Sequence, residues 1–182
     1  MVGVDDFFTY KLEGPGYNQS PICKEKDKIN FQFPRLRAHA GEEVIGYWLE
    51  NGHITRQPIE GPNGSTGSVR WYGTESYSSG TTLGEVRAWT GDGQGGNKEG
   101  RLIGENPFDD RSCAESNNSK VSSDRQVGLD KPTLPCKGSF TLPGGLKPGS
   151  TYTVYWVWDF SNKADVNQRT EEVILLLALL MT

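Results

Sequence analysis

Histidine is scarce in this chain. The 182 residues contain two, His39 and His53, and one imidazole cannot hold a metal alone, so each is judged by its neighbours. The three cysteines, Cys23, Cys113 and Cys136, form no Cys-x-x-Cys pair, which argues against a zinc site of the finger or ribbon kind. No run of Lys or Arg stands out and the net charge is −4. The clustered positive face that phosphate binding requires is therefore missing, and no nucleic acid partner is expected. No serine occupies a Gly-x-Ser-x-Gly elbow. The most aliphatic run, residues 173–181, is too short to cross a bilayer as a helix. No periodic pattern announces a convincing amphipathic helix or an internal repeat.

What is present points to β-structure. Hydrophobic residues make up only 34%, glycine is abundant at 23, and five Trp and seven Tyr carry much of the burial. That balance suits one all-β domain with long loops. Strands are expected over 31–38 (Pro34 marking an edge or a bulge), 43–49, 68–74, 85–90, 101–103 and 139–142. Residues 43–49, apolar on both faces, read as a central strand between two layers. The strongest signal is 151–160: Tyr152, Val154, Trp156, Trp158 and Phe160 share one face, while Thr151, Thr153, Tyr155, Val157 and Asp159 share the other. Residues 91–97 and 106–130 read as long loops, the former too Gly-rich for a strand interior and without the strand–loop–helix order of a phosphate loop. Short strands and frequent turns imply an antiparallel β-sandwich spanning 1–182, expected to be immunoglobulin-like or fibronectin-like, with a jelly-roll or barrel variant as the alternative. Within it, 1–22 is a partial N-terminal segment and 171–182 an atypical aliphatic tail, either a buried final strand or the product of a misread gene end.

Asn-x-Ser triplets at Asn18, Asn63 and Asn117 are glycosylation candidates and, with few, spaced cysteines, favour secretion. Cys113 and Cys136 are the expected disulfide, closing a loop that contributes about 3 kcal/mol in the chain-entropy picture. The opening residues Met1 to Asp6 carry neither a basic segment nor an apolar stretch of signal-peptide length. The expectation is a cytosolic protein or a chain whose true start lies upstream.

Among candidate sites, His53 follows Asn51-Gly52, a turn signal at the end of an apolar strand, which places its side chain at the rim of the sheet. An ordinary solvated turn histidine is the plain alternative. His39, in a turn of its own, reads as a surface residue. Asp109 and Asp110 are adjacent, point to different sides, and suit capping or a salt bridge with Arg111 better than an acid/base couple. Oxygen ligands for calcium exist at Asp92, Asn97 and Asp109, but their spacing matches no calcium loop. Trp71, Tyr72, Tyr77 and Trp89 are candidates for a glycan platform, with core packing as their ordinary role.

Four segments in order then carry a resemblance: Phe33-Pro34-Arg35-Leu36-Arg37-Ala38, Tyr47-Trp48-Leu49-Glu50-Asn51-Gly52-His53-Ile54-Thr55, Phe108-Asp109-Asp110-Arg111-Ser112-Cys113, and Tyr152-Thr153-Val154-Tyr155-Trp156-Val157-Trp158-Asp159. From about Cys23 to Asp159 the chain resembles a group of fungal secreted β-sandwich domains of unassigned function. That group in turn resembles the lytic polysaccharide monooxygenases, copper enzymes that oxidise polysaccharides. The resemblance implies a histidine brace in which an N-terminal histidine and a second histidine bind copper, with His53 matching the second. No histidine precedes His39, so the N-terminal ligand is absent and the domain is expected to be inactive as it stands. The resemblance also implies a final strand carrying Tyr and Cys where this chain has its aliphatic tail, which would leave Cys23 unpaired. Both ends are thus expected to be truncated. Three functions are expected in turn: a secreted, monomeric, copper-dependent domain acting on a polysaccharide surface, a non-catalytic glycan-binding module, or a structural cell-surface module.

Overall fold

The computed structural model describes residues 9–13, 15–23, 35–56, 66–128, 133–159 and 170–182; for 9–11, 13 and 170–180 it describes the backbone alone. The strands are β1 (Thr9–Glu13), β2 (Leu36–Ala38), β3 (Glu43–Trp48), β4 (Ser68–Thr74) and β5 (Arg101–Pro107), then β6 (Ala114–Glu115), β7 (Thr133–Leu134), β8 (Cys136–Thr141), β9 (Thr151–Asp159) and β10 (Thr170–Met181). Two short helices, α1 (Leu83–Arg87) and α2 (Lys120–Arg125), and a 3-10 turn at Tyr17–Gln19 complete the described elements.

β9 organises the fold. Its β-branched and aromatic residues suit a pleated strand, and Tyr152 to Trp158 are buried without interruption. It pairs antiparallel with β10 on one side and β4 on the other, in a sheet ordered β1-β10-β9-β4-β5. β10 carries β1 along residues 170–174 and β2, in parallel, along residues 179–181. The aliphatic tail is therefore an internal strand of the main sheet.

Each face of that sheet has its own cover. Tyr152, Val154, Trp156 and Trp158, with Val69 and Trp71 of β4, face a second, two-stranded sheet of β3 and β8, which contributes Val44, Trp48 and Phe140. Trp48, Trp71 and Trp156 meet at its centre with ring centroids 5.9–6.5 Å apart. On the opposite face Tyr155, Val157 and Tyr72 are covered by Tyr17, Leu83, Val86 and Trp89. The architecture is an all-β sandwich, as expected, with helical and loop segments over its outer face.

Three expectations are corrected. The alternation over 85–90 predicts a strand, yet 83–87 are helical. Thr82 and Glu85 form a capping box in which Thr82 Oγ1 accepts from Glu85 N and Thr82 N donates to Glu85 Oε2, and the i, i+3 pair Leu83 and Val86 is buried. Local capping outweighs the period-two pattern. The supposed loop 106–130 holds the end of β5, all of β6 and helix α2, whose N-cap Ser119 accepts from Ser122 N at 3.1 Å. Residues 43–49 are not a central strand. β3 pairs with β8 alone among the described strands and buries one face, leaving Ile45 55%, Tyr47 64% and Leu49 53% exposed. Elsewhere the expected 101–103 strand runs on to Pro107, and Phe31, Phe33, Pro34 and Phe160 lie outside the described residues. No helix among the described residues is long and apolar enough to cross a membrane.

Glycines set how closely the sheets approach. The ring of Trp71 fills the space where Gly46 would carry a side chain. A Cβ at Gly104 would lie 2.9 Å from Ser139 O and 3.0 Å from Phe140 Cα, and backbone cannot swing aside as a long side chain can. Gly104→Ala is expected to cost about 1–3 kcal/mol by overpacking. Gly144→Ala, with nothing within 4 Å, is expected to shift stability by less than about 0.5 kcal/mol. Urea unfolding of the two variants checks the difference.

Candidate functional site

His53 sits in the turn that follows β3. The chain reverses at Asn51 (φ 47°) and Gly52 (φ 82°), left-handed positions that these two residue types tolerate. His53 N donates to Glu50 O at 2.9 Å. The sequence signal for a turn at Asn-Gly is borne out. The imidazole is half-buried and stands edge-on to Trp158, with ring centroids 4.8 Å apart and planes at 75°, and at 6.5 Å from Phe108. Phe108 and Trp158 stack beneath it at 3.8 Å, and Trp158 Nε1 is fixed by donating to Thr66 O at 2.8 Å. A rigid aromatic floor at the sheet rim therefore sets the tilt of the ring.

The turn is held from below by Glu50, which is 1% exposed. A buried carboxylate needs donors at its lone pairs, and this one has them. Ile54 N and Thr55 N donate to Oε2 at 2.7 and 3.3 Å, while Glu115 N, at 3.0 Å, and the Thr55 hydroxyl donate to Oε1. Asn117 Nδ2 donates to Thr55 Oγ1 at 2.7 Å and to Glu115 O at 3.1 Å. One carboxylate thus ties the His53 turn to the β6 segment. Sequence reasoning passed over Glu50. The available signal was an acidic residue closing an apolar strand, with a Thr five positions on.

The chain leading into β6 is pinned twice more. Cys113 and Cys136 form the expected disulfide, with Cα atoms 4.5 Å apart. Asp109 makes a two-pronged pair with Arg125 at 2.7 and 2.8 Å, and Arg125 also donates to Cys113 O. The expected partner, Arg111, in the left-handed region at φ 64°, contributes its backbone N–H to Asp109. Asp110 accepts from the backbone N–H groups of Ser112, Cys113 and Lys137 at 2.8–2.9 Å. Burial alone would raise the Asp110 carboxyl, but these three bonds outweigh it and hold the group below the ordinary carboxylate range.

The remaining candidates fall apart spatially. His39 is exposed, with Nδ1 3.0 Å from Thr182 O, and lies off the opposite end of β3 from His53. Five residue steps along that strand alone separate the two by roughly 17 Å, so they cannot share an ion. Asp92 Oδ1 accepts from Thr90 Oγ1 and Gln94 N, Asn97 Oδ1 from Trp89 Nε1 and Glu99 N, and Asp109 already holds a cation in Arg125. Calcium oxygens do not converge there. Asp110, Cys113 and Cys136 lie within 4.8 Å of one another, but both sulfurs are spent in the disulfide. Trp71, Tyr72 and Trp89 are core residues, and Tyr77 is 42% exposed. Cys23 is a free thiol that burial pushes up to about 11 despite a hydrogen bond with Tyr77, so little of it is thiolate near neutrality. Asn63 lies outside the described residues. At Asn117, a glycan on Nδ2 would take one of the two N–H groups that bond Thr55 and Glu115.

For copper, the described residues provide one imidazole at the rim. His53 belongs to no described group of three or more His, Cys, Asp or Glu donors. One nitrogen falls short of the planar set that copper prefers, so these residues do not by themselves make the centre, and no oxidative step follows from them.

Two variants test the architecture of the turn. Glu50→Gln forces an amide N–H against groups that all donate, and is expected to cost about 2–3 kcal/mol, with faster amide exchange at Ile54 and Thr55. Asp110 has an unfolded value of about 3.9 and a lower folded one. Its contribution is complete above the former and lost as pH falls through the latter, so Asp110→Asn is expected to flatten the acid limb of the stability–pH curve.

No curated protein and no solved structure matches the chain. A family profile matches residues 13–174, nearly the whole length. The chain belongs to the DUF7492 family, a domain of unknown function.

Proposed function

We propose that this chain is a secreted, lytic polysaccharide monooxygenase-like domain in which His53 is one ligand of a copper site and a polysaccharide surface is the partner. The observation that carries the reading is the presentation of His53: a half-buried imidazole at the sheet rim, braced by Trp158 and by the Glu50 network. A metal ligand needs its ring orientation fixed by neighbours, and a solvated turn histidine needs none of this. The Cys113–Cys136 bridge supports an oxidising compartment. Oxidation of the polymer depends on further copper donors beside His53.

A second reading, a non-catalytic glycan-binding module, draws on Tyr47 and Tyr77, the aromatic rings open to solvent among the described residues. Calorimetric titration of the full secreted protein with Cu(II), alongside electron paramagnetic resonance, separates the two. The copper reading expects uptake of one equivalent with nitrogen hyperfine structure, lost in His53→Ala while circular dichroism and melting are retained. Absence of uptake by the wild-type protein, or equal uptake by the variant, overturns it. Retention on insoluble chitin, cellulose or glucan without copper or reductant, weakened in Tyr47→Ala or Tyr77→Ala, favours the module.

A further inference from the structure

We infer that the edge of β3 that no described strand occupies is a strand-pairing surface for a second copy of this chain, joined antiparallel about Ile45. The phase of the β3–β8 ladder determines which groups the edge offers. Leu142 N donates to Glu42 O at 2.9 Å, so Glu42 and every second residue after it point their backbone groups at β8. Glu43, Ile45 and Tyr47 then direct N–H and C=O to the other side, where no described strand lies. All three side chains are exposed, Ile45 by 55% and Tyr47 by 64%.

Of the usual protections against pairing this edge carries one charged side chain, Glu43, at its end. It carries no proline, no lysine and no register shift against β8. By contrast, β4 against β5 and β9 against β10 both contain a shift. A regular open strand with apolar side chains invites an added strand.

Self-complementarity selects a second copy as the occupant. A two-fold axis at Ile45 sets Ile45 against the partner's Ile45 and Glu43 against the partner's Tyr47. Each opposed pair exchanges two backbone bonds, roughly six in all. Centring on Glu43 would oppose two like charges, and centring on Tyr47 would leave Glu43 unpaired. The β3–β8 register adds charge complementarity: Lys137 lies beside Tyr47, so the merged sheet runs Lys137, Tyr47 and the partner's Glu43 across one row. The like-charge penalty is avoided, and opposite charges stand two strand spacings apart, roughly 10 Å. The sequence led to an expected monomer; the edge geometry argues for a dimer.

Light scattering on gel filtration and sedimentation velocity of the full protein, from low micromolar to sub-millimolar, provide the test. Expected is a concentration-dependent dimer of the wild-type chain. Ile45→Lys, which opposes two cations at the axis on an outward-facing position, is expected to be monomeric with an unchanged melting temperature. Should that variant fail to fold, hydrogen exchange on the wild-type protein decides: the amides of Ile45 and Tyr47 gain protection with concentration. A monomer at every concentration, an Ile45→Lys dimer of equal affinity, or full protection of both amides in the dilute monomer overturns the proposal, the last by showing the edge covered by the chain itself.

Discussion

β9 has no solvent face. From Tyr152 to Trp158 both phases of the strand are buried, and this is the constraint that the remaining structure satisfies. A strand in that position needs hydrogen-bonding neighbours on both edges and apolar cover on both faces. β10 and β4 supply the edges. The β3–β8 sheet covers the tryptophan face, while α1 and the turn at Tyr17 cover the face of Tyr155 and Val157. Because the two covers are different in kind, the two faces of the sheet are not interchangeable. The His53 turn stands on the side of Trp158, whose ring forms its floor.

The buried carboxylate of Glu50 has a more local role with a longer reach. It accepts from its own turn and from Glu115 N of β6, and so couples the end of β3 to a segment sixty-five residues later in sequence. The disulfide and the Asp109–Arg125 pair fix that same segment. Breaking one of these ties leaves the others in place, but an unsatisfied carboxylate in the core is the costliest to leave behind. The chain thus places a buried, fully hydrogen-bonded acidic side chain at the base of the turn that carries its half-buried histidine. That placement fits a residue whose orientation matters.

How much of this was legible in the sequence depends on which signal dominated locally. The 151–160 pattern announced a strand because alternation, β-branching and aromatic content agree there. Asn51-Gly52 announced its turn, and Cys113 with Cys136 their bridge. The 85–90 segment misled because Val86, Ala88 and Thr90 alternate, while the deciding information, Thr82 paired with Glu85, lies at its start. Asp109 misled through proximity in sequence: Arg111 is near in the chain, but Arg125 is brought to it by α2. Glu50 was invisible because its donors are mostly backbone N–H groups, and no residue type advertises those. Copper was never legible from the residues themselves. It entered through resemblance, and the structure adds to it a presented imidazole and nothing more.

β3 shows why hydrophobicity alone could not place a strand. Val44, Gly46 and Trp48 on one phase and Ile45, Tyr47 and Leu49 on the other look equally fit for burial, hence the expectation of a central strand. The structure separates them: the even phase meets Trp71 and the core, the odd phase meets solvent. In an antiparallel pair the direction of backbone bonding alternates with the same period as the side chains. Residues that face outward on β3 are therefore also those whose amides and carbonyls face the open edge. Apolar exposure and a backbone that no described strand meets coincide at Ile45 and Tyr47 because one period of two sets both. A charged residue at either outward position would leave the inner core untouched and discourage pairing along the edge, so packing of the domain does not by itself call for an apolar side chain there.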